Sequence, residues 1–339
     1  MDLSKYENST WMGDADPRRR EAFERAITVS GAGSVLLQTF INRVVQNLTL
    51  REFGMQAALD RRPGSGDKAY VNRRTTGATV GGTWVADTVD ANTLVSQGSY
   101  AQTNFTYRTL LTRGQVTRKI QATGASYGDV LATAITMKAE DFANSLETSL
   151  VYGDTEDVAV QINGLLTLVS AVSAQCILNT TAASGGDALS LAQLDTAIDT
   201  VKGSANRSDL VIVGSYRGIR ELNAKLQAQQ RFNDMTEISA GFQVRTYDGI
   251  PLVVSTGMPD TLEASATTGQ IQTYSAVDTT TALAVINKRY MWIEELTPTT
   301  VMPLAKDTSQ YDKFDMFWDG ALVWANTKGA ALLTNIRAG

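Results

Sequence analysis

Glu294, Glu295, Asp312, Asp315 and Asp319 are the side chains whose type and crowding could support hydrolysis. That chemistry needs two carboxyl groups flanking one bond, one as acid and the other as base or nucleophile. Neighbours along a strand point to opposite faces, so Glu294 and Glu295 cannot line one pocket without distortion. The chain has no histidine and one cysteine, Cys176. Zinc or copper sites built on imidazole or paired thiolates are excluded, as are Ser-His-Asp and Cys-His mechanisms and an internal disulfide. Gly64-Ser65-Gly66-Asp67-Lys68-Ala69 matches the spacing of a dinucleotide-binding turn, but it sits in a basic, extended loop with no strand before it and no helix after it. Asp154-Thr155-Glu156-Asp157 lacks EF-hand spacing and reads as a solvated turn. Trp292, Phe314, Phe317, Trp318 and Trp324 read as core or interface aromatics rather than a sugar platform. No cofactor is expected, and these residues point away from catalysis.

A second set has the chemistry of contact. Arg61, Arg62, Lys68, Arg73 and Arg74 lie within residues 61–82 against one acid, Asp67, while the whole chain carries a net charge of −5 and a pI near 5.0. A protein that grips nucleic acid through its phosphates normally needs a basic surface overall. The local cluster reads either as a solvated loop or as a charge-complementary contact with an acidic neighbour. In the second reading Arg61, Arg62, Lys68, Arg73, Arg74 and Trp84 are inter-subunit contact residues, and reversing Arg73 and Arg74 weakens assembly in a salt-dependent way.

These residues are carried by elements of several kinds. Ser126 to Val151 reads as one long amphipathic helix, with Leu131, Ile135, Phe142, Leu146 and Leu150 on one stripe and Lys138, Glu140, Asp141, Asn144 and Glu147 on other faces. Ser126 with Asp129 three residues on gives the start signal, and Gly153 the stop. Before this spine, residues 1–30 form a polar arm with a short helix from Asp16 to Ile27, and Ser34 to Leu48 is a second helix. Residues 60–120 are rich in Gly and Thr and read as strands over Lys68 to Asn72, Gly82 to Ala86 and Thr103 to Ile120, doubling back as a projecting hairpin. A two-stranded ribbon is marginal in water, so it needs a surface, and the expected surface is another copy of the chain. After the spine, Leu189 to Val201 and Ser215 to Gln230 are helices alternating with strands at Asp209 to Gly214 and Gly249 to Ser255. Strands over Ala282 to Asn287, Met291 to Glu295, Thr299 to Met302 and Met316 to Val323 close the chain and are expected to return to the spine. The N-terminus lacks the apolar core of a signal peptide, and no run of about 18 apolar residues could span a bilayer, so no membrane is expected.

The order and spacing of these parts resemble the major capsid protein of tailed bacteriophages, whose fold is named after phage HK97. The resemblance rests on Gly82-Thr83-Trp84-Val85-Ala86-Asp87 in the hairpin, the Ser126 to Val151 spine and Asn163-Gly164-Leu165-Leu166 after it. It continues in Asp248-Gly249-Ile250-Pro251 with Ser255 to Pro259, and in Asp319-Gly320-Ala321-Leu322-Val323. It implies an α+β, HK97-like capsid fold with an N-terminal arm (1–30), an extended loop (60–120), an axial α/β domain (165–280) and a discontinuous peripheral domain (31–59, 121–164 containing the spine, and 281–339). It further implies pentamers and hexamers closing into an icosahedral shell around double-stranded DNA without sequence-specific contact, in a virion capsid assembled in the host cytoplasm. A portal protein and decoration proteins are partners of this class. The arm reaches the first folded helix within some thirty residues, which implies a separate scaffold protein instead of a cleaved scaffolding region. Some members crosslink Lys to Asn near a Glu, but no motif identifies Lys68 and Asn326 as such a pair. The competing readings are an encapsulin-type compartment shell with the same fold, and a carboxylate-based hydrolase using Asp312, Asp315 or Glu294.

Overall fold

The computed structural model describes residues 53–77, 84, 87, 97–124, 129–180, 185–202, 206–228, 235–239, 242–273, 279–305 and 310–337. The expected helices at Asp16 to Ile27 and Ser34 to Leu48, and the expected strand at Gly82 to Ala86 apart from Trp84, lie outside them.

The spine is helix α3, Val130–Tyr152, preceded by α1 (Gly54–Ala58) and α2 (Arg118–Gly124) and followed by α4 (Leu165–Ser170). At ~1.5 Å per residue α3 is about 34 Å long. The expected start at Ser126 lies outside the described residues, and the cap is Asp129: its carboxylate accepts from the amides of Leu131 at 3.0 Å and Ala132 at 3.1 Å. A side-chain oxygen there satisfies amides that have no partner within the helix. Phe142, Leu146, Leu150 and Val151 are buried, and Leu131 and Ile135 are half-buried against the same core.

Two sheets lie against the spine. The four-stranded sheet has the order β1 (Arg61–Pro63), β13 (Met291–Pro303), β14 (Tyr311–Trp324), β4 (Arg108–Thr117). The seven-stranded sheet has the order β5 (Cys176–Leu178), β15 (Ala330–Arg337), β12 (Thr280–Asn287), β6 (Leu210–Gly214), β9 (Ile250–Val254), β8 (Phe242–Tyr247), β7 (Met235–Ser239). In that sheet β6 and β9 run parallel, as do β15 and β5, while β12 is antiparallel to both β6 and β15; β10 (Glu263–Ala264) and β11 (Ile271–Thr273) pair separately.

Alternation along the central strands divides two cores. Val211 and Val213 of β6, Ala282, Ala284 and Ile286 of β12, and Ala330 and Leu332 of β15 pack with the spine and with Met291, Phe314, Met316 and Trp318. Leu210, Ile212, Leu283, Val285, Ala331 and Leu333, on the other face, pack against α5 (Leu191–Lys202) and α6 (Tyr216–Ala228). Successive side chains of a strand point to opposite faces, so a strand apolar at every position serves two layers. The α+β class is as expected. Strands β12 and β15 belong to the same sheet as β6 and β9, and of the closing segment β13 and β14 lie in the four-stranded sheet.

Strand β15 was not foreseen, because AALLTNIR has no polar alternation to mark it and is buried at every position but the last. The expected strand Thr103 to Ile120 is broken at Tyr107 into β3 (Ser99–Thr106), which pairs with β2 (Lys68–Thr76), and β4, which pairs with β14. Its last residues open helix α2. Strands β2 and β3 form a two-stranded ribbon paired to no other strand among the described residues.

Glu147 overturns a simple amphipathic reading. The sequence puts it on a polar face, yet it is fully buried. Its Oε1 accepts from the Met55 amide at 2.7 Å and the Ser255 hydroxyl at 2.5 Å, and its Oε2 accepts from the Gln56 amide at 3.0 Å. A carboxylate at the start of α1 meets amides with no other partner. Two glycines admit this joint: a Cβ at Gly54 would stand 2.0 Å from the Val254 carbonyl oxygen, and one at Gly257 2.9 Å from that of Glu147.

Candidate functional site

The ribbon's root is fastened to the four-stranded sheet by the carboxylates that sequence alone offered for catalysis. Arg61 forms an ion pair with Glu295 at 2.8 Å, and the same Glu295 oxygen accepts the Trp318 indole N–H at 2.8 Å. On the opposite face of β13, Glu294 accepts the Tyr107 hydroxyl at 2.5 Å and the Trp292 indole N–H at 3.2 Å. The two glutamates thus face apart, as strand geometry requires. The Arg62 guanidinium lies 4.0 Å from the Trp292 ring centroid, a cation–π contact. Burial, with Glu294 beside it, pushes the Tyr107 phenol up to about 12. A Cβ at Gly64 would come within 2.6 Å of the Tyr107 hydroxyl, so the chain can turn here only because that side chain is absent. The glycines of the G-x-G-x-x-A match therefore serve a turn between β1 and β2.

The remaining carboxylates hold strands together. Asp315 receives both Arg113 nitrogens at 2.6 and 2.8 Å across the β4–β14 pair, and this guanidinium holds its carboxyl below the usual aspartate range. Asp319 accepts the Thr109 hydroxyl at 2.5 Å, and Asp312 stands opposite Val116 in the same ladder. Asp315 and Asp319 are four residues apart on one strand, roughly 13 Å at ~3.3 Å per residue, beyond the separation of a hydrolytic pair. Among the described residues no group of three or more Cys, Asp or Glu side chains could hold a metal ion, and no helix is long and apolar enough to cross a membrane.

Pairing register gives the ribbon two unlike faces. Ala69, Val71 and Arg73 share one face with Phe105, Thr103 and Ala101. Ala69 is buried, Phe105 packs on the core, and Arg73 donates to the Trp324 carbonyl, with burial lowering the pKa of its guanidinium. Lys68, Tyr70, Asn72 and Arg74 share the other face with Asn104, Gln102 and Tyr100, and this face is open: Tyr100 is 74% exposed. Trp84, beyond the ribbon, is fully exposed. Of the six candidate contact residues, Arg61, Arg62 and Arg73 engage groups of their own chain, while Lys68, Arg74 and Trp84 do not join that cluster. Tyr70 and Tyr100 share the open face, and the sequence alone does not single them out. The alternation Lys68, Tyr70, Asn72, Arg74 was readable, but which face was open depended on the partner strand.

A search of curated proteins finds no match. Among solved structures, the capsid of an empty GTA particle superposes with a TM-score of 0.66 at 14% identity, covering 91% of this chain and 98% of its own. The cyanophage A-1(L) capsid gives 0.65 at 14%, covering 90% and 98%. The holo-SrpI encapsulin complex from Synechococcus elongatus gives 0.65 at 15%, covering 91% and 95%. At such identities these likenesses establish the fold alone, which is the HK97-like one. The sequence model of the SU10 major capsid protein family matches residues 76–337, from the ribbon through the last strand. An exposed ribbon on a two-sheet body built around one long helix, matched over well more than half its length, belongs to the SU10 major capsid protein family.

Proposed function

We propose that copies of this chain close as pentamers and hexamers into the icosahedral wall of a phage head, with the β2–β3 ribbon of each subunit lying on its neighbour. The observation that carries this reading is the ribbon itself. It is firmly rooted through Arg61, Tyr107 and Arg73, yet presents Tyr70, Arg74 and Tyr100 to solvent in the isolated chain. Two strands without a covering layer are marginal in water, and a neighbouring subunit supplies the layer. The protein is structural, with no reaction and no cofactor of its own, because its crowded carboxylates fasten strands and loops. A separate scaffold protein, a portal protein, decoration proteins and packaged double-stranded DNA are its partners in this reading. A net charge of −5 suits a wall that stands beside DNA without sequence-specific grip.

Negative-stain electron microscopy of the purified chain, alone and with scaffold protein, tests the reading. Closed shells, or rings of five and six, are expected. A monomer or dimer under every condition would overturn it. The encapsulin-type reading shares the fold and would also give shells. Native particles filled with protein cargo and free of DNA would decide for it.

A further inference from the structure

One end of the seven-stranded sheet carries a charge opposite to that of the chain. Strand β12 turns into β13 through Asn287, Lys288, Arg289 and Tyr290, and β14 turns into β15 through Ala325, Asn326, Thr327, Lys328 and Gly329. Ile286 faces Ala330 in the ladder, so the two turns lie side by side at about one strand spacing, ~4.8 Å. Backbone bonds fix both. The Asn287 amide donates to the Gly329 carbonyl at 2.9 Å, the Ala325 amide to the Tyr290 carbonyl at 2.8 Å, and the Lys288 amide to the Asp209 carbonyl at 2.9 Å. Asn287 Oδ1 accepts the Arg289 amide at 2.9 Å, and Asn326 Oδ1 accepts the Lys328 amide at 3.0 Å.

What these stiff turns present is positive. Arg289 and Lys328 are exposed and Lys288 is half-buried, and among the described residues no carboxylate pairs with any of the three. The adjoining segment 206–210 adds Arg207, which pairs with Asp248, and one half-buried carboxylate, Asp209. Behind the turns, unpartnered donors outnumber acceptors: Asn287 Nδ2, Trp324 Nε1 and Arg73 Nε are buried N–H groups without an acceptor, against one buried acceptor, Asp209 Oδ2. Asn287 is fully buried and Trp324 nearly so, and Arg73 reaches this end through its bond to the Trp324 carbonyl.

The chemistry of the partner follows from what the turns lack. Among the described residues, none of the large apolar side chains that stand exposed lies in either turn. Protein interfaces bury aromatic or aliphatic anchors inside a polar rim, so bare cations on a stiff frame suit a polyanion instead. The phosphates of a duplex are such a polyanion, and contacts to them carry no sequence information. We propose that Lys288, Arg289 and Lys328 form a phosphate-contact site for packaged double-stranded DNA, reaching it from two adjoining turns. This rests on the shell reading and adds which end of the subunit meets the genome. With a net charge of −5, the rest of the subunit repels the duplex, so the contact stays local.

Fluorescence anisotropy of a short labelled DNA duplex of arbitrary sequence, titrated with the full-length chain over a range of salt concentrations, tests the site. Each neutralised phosphate adds roughly 0.9 to the slope of log affinity against log salt. Lys288→Gln, Arg289→Gln and Lys328→Gln in one chain are therefore expected to lower that slope by about 2.7 and the low-salt affinity by about tenfold or more. Circular dichroism confirms that the variant is folded. Arg220→Gln with Lys225→Gln, on α6, is expected to change neither quantity; a loss there as large per charge would mean diffuse attraction and overturn the site. Poly-glutamate is expected to compete poorly, and competition as strong as that of unlabelled duplex would assign the turns to an acidic protein segment instead. In particles, the triple variant is expected to form shells in wild-type yield, and reconstructions of DNA-filled wild-type particles are expected to show duplex density reaching residues 287–290 and 325–329. An unchanged slope in the triple variant, or turns on the outer surface of the shell, would overturn the contact and leave the shell reading in place. Failure of the wild-type chain to form shells under any condition would overturn the shell reading, while the titration of the unassembled chain still decides whether the phosphate site exists.

Discussion

At the scale of single residues, Glu147 shows how position redefines a charged side chain. Phe142, Leu146 and Leu150 set the spine's apolar stripe, and Glu147 stands beside it, four residues before the buried Val151. In sequence it reads as the polar edge of an amphipathic helix. In the fold it is the acceptor for two amides and a hydroxyl that would otherwise be buried without partners. Glu147→Ala is expected to destabilise the chain by about 3–5 kcal/mol and Ser255→Ala by about 1–2 kcal/mol, measured by denaturant unfolding. The adjacent arginines divide in a testable way. Arg73→Ala, which removes the bond to the Trp324 carbonyl, is expected to lower the melting temperature of the unassembled chain. Arg74→Ala is expected to leave it unchanged, because Arg74 lies exposed on the open face. Tyr107 has a pH signature. Its folded pKa is raised from 10.0 to about 12, so the stability it carries is full below 10.0 and is lost as pH rises toward about 12. Tyr107→Phe is expected to be less stable than wild type at neutral pH and to show a shallower loss across that alkaline window.

At the scale of elements, what could be read in advance followed from periodicity. The spine, α5, α6 and β6 each repeat with the period of their own structure or form a short apolar run between turn signals, and their burial follows that pattern. Elements whose signal depends on tertiary partners were not legible. Strand β15 is apolar throughout because the sheet has a core on each face, and the break at Tyr107 exists because β3 and β4 pair with different strands. The same limit applied to the site: a basic cluster was visible, but its division between an anchored and an open face is set by the β2–β3 register. The joint between α1 and β9 depends on a missing side chain. Gly54→Ala places a Cβ 2.0 Å from the Val254 carbonyl oxygen and 2.7 Å from a Val253 methyl, a steric conflict with backbone. It is expected to cost about 1–3 kcal/mol or more in unfolding free energy. At the other end, Asp129→Ala removes the spine's cap and is expected to cost about 1 kcal/mol.

At the scale of the whole molecule, the chain places its rigidity and its exposed chemistry in different regions. The two sheets and the spine share a continuous core, while an aromatic, basic ribbon face is left open. A monomeric protein has little reason to keep exposed tyrosines beside arginine on the open face of a two-stranded ribbon, whereas a shell subunit buries them on assembly. The measurement that tests this most directly is an icosahedrally averaged cryo-electron microscopy reconstruction of particles formed by the full-length chain. Closed shells are expected in which density for Lys68–Thr76 and Ser99–Thr106 crosses onto a neighbouring subunit and covers Tyr70 and Tyr100. Particles in which that ribbon folds back on its own subunit and touches no other copy would contradict it.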